Sequence, residues 1–369
     1  NDLPLTCSSP RLPRDTSSQQ SFQWAIGQIE KCNRKHKCHN LAVLPSLPTR
    51  VLDVEAPETG LSLYLADSKP GRYMCLSHCW GQLPATGKTT RHNLELRIKG
   101  ILLESLPKTF QDAIDMTRRL GVRYLWIDAL CIIQEDEEDW LREAPQMAAI
   151  YENAYLTLAA TASSDSHGGF YRILPPEAYE REFTYGGDTF EDVPAATVYV
   201  REALPHFNSP DLQETSTLRK KEFPLFDRAW AYQERVLSPR MLHFCNSELW
   251  FECNRDAVCQ CKGTEREPLA WKATLRRLLQ EQHQGRPTVW GWNQFVLEYS
   301  GLKMTYDKDR LPALSSIARK MAQLNPQDCY LAGMWKSTLL ESLFWSIAPG
   351  QAQRYRPSHP RAPSWSWAS

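Results

Sequence analysis

The chain has 369 residues, 42% of them hydrophobic and 23% charged, the proportions of a soluble globular protein with room for one large domain or two ordinary ones. Lys plus Arg and Asp plus Glu are both 43, so the net charge is zero and neither nucleic acid nor an anionic membrane is the expected partner. The longest apolar run, AYLTLAATA at 154–162, falls far short of the ~20 residues a membrane span needs. Eleven cysteines, an odd number scattered over a long chain, point to reduced thiols and a cytoplasmic setting. Thirteen Trp and 25 Pro predict large rigid cores joined by long irregular connections.

Residues 1–20, rich in Pro, Ser and Arg, read as a loose leader. SFQWAIGQIEKCNRKHKCH at 21–39 reads as a helix ending in a Cys/His cluster. RYMCLSHCWG at 72–81 reads as a strand that stops on glycine. SLPKTFQDAIDMTRRLG at 105–121 is an amphipathic helix with Phe110, Ile114, Met116 and Leu120 on one side and Gly121 as its stop. VRYLWIDALCII at 122–133 is an apolar run fitting a buried strand and its continuation. DEEDWLREAPQMAAIYENA at 136–154 is a second helix, its first-turn acids favoured by the helix dipole, with Pro145 as a kink or restart. AYLTLAATAS at 154–163 is a third strand.

Strand, helix, strand, helix, strand with short connections predicts an α/β fold with a parallel sheet core flanked by helices. The rhythm is lost over 165–225, which read as a long insertion holding one strand-like stretch, ATVYVRE. RAWAYQERVLSPR at 228–240 reads as a helix, and MLHFCNSELWFECN at 241–254 as two short strands around a turn. A mainly helical C-terminal part, 254–369, packs on the core and closes on APSWSWAS.

Two sets of soft ligands stand out. Cys32, His36 and Cys38 form a C-x3-H-x-C arrangement, and Cys253, Cys259 and Cys261 form a second group. Zinc takes four such ligands in a tetrahedron, so a structural zinc completed by a distant residue is one reading and unbound thiols the other. The acidic run at 135–139 reads as a helix start rather than a cation site. GQLPATGKTT at 81–90 imitates a phosphate-binding loop but has five residues, not four, between Gly81 and Gly87. Cys131 reads as a buried small hydrophobe, with a nucleophile backed by His78 as the alternative.

YMCLSHCWG (73–81), the block from Leu106 to Ser163 containing LWIDALCIIQ, DRAWAYQERVLSPRMLHFCNSELWFEC (227–253) and PSWSWAS (363–369) resemble the blocks of the fungal heterokaryon-incompatibility (HET) domain, in the family's order. The resemblance implies a domain core over 21–253, a fungal origin, and a role in self/non-self recognition that ends in growth arrest or programmed cell death. HET domains are in turn similar to TIR domains, which are flavodoxin-like and in several cases hydrolyse NAD. CLSH at 75–78 resembles the first TIR strand. WAYQE at 230–234 has the spacing of the TIR tryptophan and catalytic glutamate, with Ala231 in place of a cysteine.

That resemblance makes Glu234 the catalytic carboxylate and NAD the substrate, with no other cofactor required. One carboxylate suffices chemically, because nicotinamide leaves already carrying its positive charge and only the oxocarbenium-like ribose needs stabilising. Asp128, Ser77 and His78 fall at predicted strand ends, where ligands of open parallel sheets sit. Arg228 and Arg235 are candidates to hold pyrophosphate, and Trp80 or Trp230 to stack on a ring. Gln134 is expected to bond backbone or ligand, and Gln233 joins the substrate-binding set. The structural alternative pairs Glu234 with Arg228, Arg235 or Arg240, buries Trp230 in the core and sets Asp128 against an arginine. Beyond the hydrolase, two readings stay open: an oligomerising signalling module driven by a separate sensor protein, and a small-molecule biosynthetic enzyme on the same fold.

Overall fold

The computed structural model describes residues 11–40, 42–174, 180–185, 196–201, 204–206, 221–262, 265–266, 272, 289–346 and 360–369. Within them the strands are β1 (Arg50–Asp53), β2 (Ser62–Leu65), β3 (Tyr73–Ser77), β4 (Tyr124–Trp126), β5 (Leu156–Ala159), β6 (Arg181–Tyr185), β7 (Ala196–Val200), β8 (Arg240–Phe244), β9 (Leu249–Cys253), β10 (Ala257–Cys259), β11 (Glu265–Arg266), β12 (Tyr330–Leu331) and β13 (Met334–Trp335). Nine form one sheet in the order β11-β10-β9-β8-β5-β3-β4-β1-β2. The pairs β8–β5, β5–β3 and β3–β4 are parallel, and every pair outside them is antiparallel. The fold is therefore α/β with a parallel centre, and a wing of antiparallel strands extends each edge. The central strands are buried on both faces, which is why YMCLS and LTLA carry no alternating polar residue on a solvent side.

The helix after β3 runs Lys108–Arg119, begins behind Pro107, and ends where Gly121 takes φ +66. It buries Phe110, Ala113, Ile114 and Met116 against the sheet. After β4 a single turn, Asp128–Cys131, precedes helix Glu137–Glu143, capped by the Asp136 carboxylate, which accepts from the Asp139 amide. Pro145 marks a restart: a 3₁₀ turn, Ala144–Gln146, leads into helix Met147–Asn153. The neighbouring Asp139 is buried and bonds Arg50 at 2.6 Å and the Ile133 amide at 2.7 Å, so the acidic run serves as cap and brace. The stretch resembling a phosphate loop is also structural, since Thr89 bonds Ala129 and Gln134 through its backbone.

The first helix runs Gln19–Lys31, with Ser18 as its cap. The segment before it is tied down from residue 14, by Leu174 N to Arg14 O and Thr16 N to Arg172 O at 2.8 and 2.9 Å. Residues 1–10 lie outside the described residues, as does much of the insertion. Its strand-like stretch is β7, which pairs with β6 in a separate two-stranded sheet.

Helix Ala229–Leu237 is buried at every position except Trp230. It lies between the sheet and a second apolar cluster built with Trp292, Phe295, Tyr299, Leu314 and Ile317 of the C-terminal helices Val289–Ser300 and Pro312–Leu324. The closing WSWAS docks on that part: Trp367 Nε1 donates to Gly333 O at 2.8 Å. Gly333, at φ +98, has no room for a side chain, since a Cβ there would meet Trp367 Nε1 at 2.6 Å. Among the described residues no helix is long and apolar enough to cross a membrane.

Candidate active site at the strand ends

Three elements bring the candidate residues together. β3 ends on Ser77 and hands on His78, Cys79 and Trp80; β4 leads into Asp128; helix Ala229–Leu237 lays Glu234 beneath these strand ends. Asp128 accepts from Trp80 Nε1 at 2.8 Å and from the Ala129 amide at 2.8 Å, and its Oδ1 lies 3.8 Å from His78 Nδ1. The hydrogen bonds to this carboxylate thus come from an indole and a backbone amide, not an arginine. Arg228 donates to His78 O at 2.7 Å and braces the β3 exit.

Glu234 is only 6% exposed, and no lysine or arginine forms an ion pair with it among the described residues. The arginines that helix spacing offered it are engaged elsewhere. Arg235 pairs with Glu252 at 2.8 Å, and Arg240 donates to Tyr155 O at 2.9 Å. Burial raises the Glu234 carboxyl to about 7, and the negative charge of Asp128 adds to the rise. The Ser77 and Tyr151 hydroxyls and the Arg228 charge pull the other way. His78 is pushed down to about 4, chiefly by burial, and is neutral at physiological pH. Ser77 Oγ, His78 Nε2 and Gln233 Oε1 are buried with no hydrogen-bond partner among the described residues.

The other candidates lie apart. Trp230 turns toward the C-terminal part, its Nε1 3.4 Å from Asp309 Oδ2, and packs between the two apolar clusters. Gln134 donates to Asp128 O and Ile132 O at 3.2 and 2.9 Å, holding the backbone of the turn that carries Asp128. Cys131 is buried and its thiol is pushed up to about 12 by burial, which leaves no thiolate for nucleophilic attack. Tyr151 was not singled out from the sequence: a tyrosine on an apolar helix face carries no mark of the carboxylate it will meet.

The exits of β3 and β5 are latched. Ser166 Oγ donates to Cys79 O at 3.0 Å and Trp80 O at 3.3 Å, and His167 Nε2 meets Gln82 O at 3.0 Å. Gly81, at φ +60, makes the closeness feasible, because a Cβ there would lie 2.4 Å from Asp165 Cβ.

The soft ligands regroup. Cys253, at the end of β9, leaves the second set and joins Cys32 and His36; Cys38 lies beside the Cys32 and Cys253 thiols. Cys259 and Cys261 are joined by His206 and Glu248, neither of which sequence spacing indicated.

No curated protein and no solved structure matches the chain. Residues 73–234 match the family model described as heterokaryon incompatibility protein (HET). The match begins on the first residue of β3 and ends on Glu234, so it spans Ser77, His78, Asp128, Tyr151 and Glu234. Over these residues the chain is similar to the heterokaryon-incompatibility (HET) family.

Proposed function

We propose that the chain is a cell-death effector of heterokaryon incompatibility that hydrolyses the nicotinamide–ribose bond of NAD, with Glu234 as the working carboxylate. The observation that carries this reading is Glu234 itself: a buried carboxyl, with no ion-pair partner among the described residues, its titration raised to about 7 beside Asp128 and Ser77 at the ends of parallel strands. The nearby arginines have other tasks: Arg235 pairs with Glu252, Arg240 donates to Tyr155 O and Arg228 to His78 O. In the reaction water attacks C1′ of the ribose and the C1′–N bond breaks. Its electron pair neutralises the nicotinamide nitrogen, and the proton from water passes to the Glu234 carboxylate. Asp128 adds negative charge near the developing cation, and neutral His78 and Ser77 offer hydrogen bonds to the ribose hydroxyls. With Glu234 only 6% exposed, this geometry is the resting form, and substrate enters after the β3 and β5 exits part.

The second reading, a non-enzymatic module that oligomerises under a separate sensor protein, is favoured by the same burial of Glu234. Nicotinamide release from NAD by the pure protein, alone and under crowding that drives association, separates the two. Turnover abolished by Glu234→Gln is the expected result. Absence of turnover in every condition refutes the hydrolase, and turnover indifferent to the substitution refutes the site.

A further inference from the structure

The two regrouped clusters sit at opposite ends of β9. At its C-terminal end Cys253 Sγ lies 3.4 Å from His36 Nδ1, and the ligand atoms of Cys32, His36 and Cys253 all fall within 4.8 Å of one another. Cys38 follows two residues after His36, its Sγ 3.9 Å from His36 O, and is the nearest further thiol in sequence to complete the set, though it lies outside the three atoms that are already mutually close. The backbone is bent to achieve this. The first helix widens into a π turn over Cys32–His36, and Lys37 takes a left-handed φ of 50, closing the loop with its amide on Cys32 O at 2.7 Å. π turns are rare and tend to mark functional positions. Here the widening brings Cys32 and His36 together toward Cys253. The Arg255 amide donates to Cys253 Sγ at 3.4 Å.

At the N-terminal end, His206 Nε2 lies 3.0 Å from Cys261 Sγ and 3.1 Å from Glu248 Oε1, and Cys259 and Cys261 sulfurs are 3.2 Å apart. Glu248 Oε2 accepts from the Cys261 amide at 2.8 Å, which aims Oε1 at the other three. All four ligand atoms are within 4.8 Å of one another, and all but His206 belong to buried residues. Zinc–sulfur bonds of ~2.3 Å and zinc–nitrogen bonds of ~2.0 Å set tetrahedral edges of about 3.3–3.8 Å, close to these separations. A disulfide needs sulfurs about 2.05 Å apart, and the Cys259 and Cys261 sulfurs at 3.2 Å are not bonded to each other.

We propose that each cluster binds one structural zinc ion, through Cys32, His36, Cys38 and Cys253 at one end of β9 and through His206, Glu248, Cys259 and Cys261 at the other. Each set supplies three anions and one neutral imidazole, leaving a net charge of about −1 on the loaded site, a common outcome for structural zinc. The first ion staples the first helix to the antiparallel wing, and the second staples residues of the insertion to the same wing. Both lie away from Glu234, so the proposal is independent of the hydrolase reading.

The test is elemental analysis of the purified chain after zinc loading and dialysis. Two zinc ions per chain are expected, falling to one in Cys32→Ser and to one in Cys259→Ser. Cobalt(II) replacement in the unsubstituted chain keeps the test open if a variant fails to fold. It should give thiolate-to-cobalt charge-transfer bands and intense tetrahedral d–d absorption. No bound zinc, or a cobalt spectrum without thiolate bands, overturns the proposal. A single ion overturns it for whichever cluster's serine variant leaves the content unchanged.

Discussion

Glu234→Gln should make the protein more stable, and increasingly so as the pH rises. The carboxyl titrates near 4.5 in the unfolded chain and at about 7 in the fold, chiefly because burial disfavours its charge. Between those values the folded state binds more protons than the unfolded one, so this group's contribution to stability falls as pH rises through the window. Glutamine keeps the shape and cannot ionise. At about 1.4 kcal/mol per pK unit, the advantage of the variant over the parent should grow by roughly 2–3 kcal/mol between about pH 5 and pH 8. The pushed-down imidazoles of His78 and His243 act in the opposite sense in both proteins and cancel in the difference. Urea unfolding of both proteins across that range, followed by tryptophan fluorescence, measures it. A difference that stays flat with pH, or shrinks as pH rises, would refute the claim that Glu234 is carried into the fold at the expense of its charge.

Asp128→Asn removes the second cause of the raised carboxyl, so the pH at which that advantage develops should move downward in the same titration. If NAD is hydrolysed, the acid limb of the rate profile should move with it, because the ionised carboxylate is the working form. Arg235→Met strips Glu252 of its guanidinium, from a pair whose side chains are 3% and 0% exposed, and should cost roughly 3–5 kcal/mol in thermal or urea unfolding. Arg235→Lys should recover only part of this, because the planar guanidinium also lies over the Phe226 ring, 4.0 Å from its centre.

The strands of the parallel centre were legible because runs such as YMCLS and AYLTLA have no reason to exist except burial on both faces. The restart at Pro145 was legible because proline cannot continue a helix. What was not legible was which charge meets which. Arg235 follows Glu234 directly in sequence, but adjacent helix positions point apart, and Arg235 reaches Glu252 on β9, a choice made by packing across the sheet. Trp230 and Glu234 share a face by spacing, but Trp230 is long enough to leave it for Asp309. The metal-type clusters show the same limit. Spacing grouped Cys253 with Cys259 and Cys261, but strand alternation and the length of β9 send them to opposite ends, and His206 and Glu248 carry no pattern that points to a thiol.

The hydroxyl of Ser166, shared between the carbonyls of Cys79 and Trp80, has a consequence for how output is set. If only about one molecule in a hundred has those contacts broken at any moment, the apparent affinity for anything that must reach Glu234 is weakened about a hundredfold with no residue of the site altered. Throughput then depends on the duty cycle of one serine. An abundant, correctly folded protein can stay silent, and a partner that merely holds the two loop exits apart becomes a switch with a gain fixed by the resting occupancy.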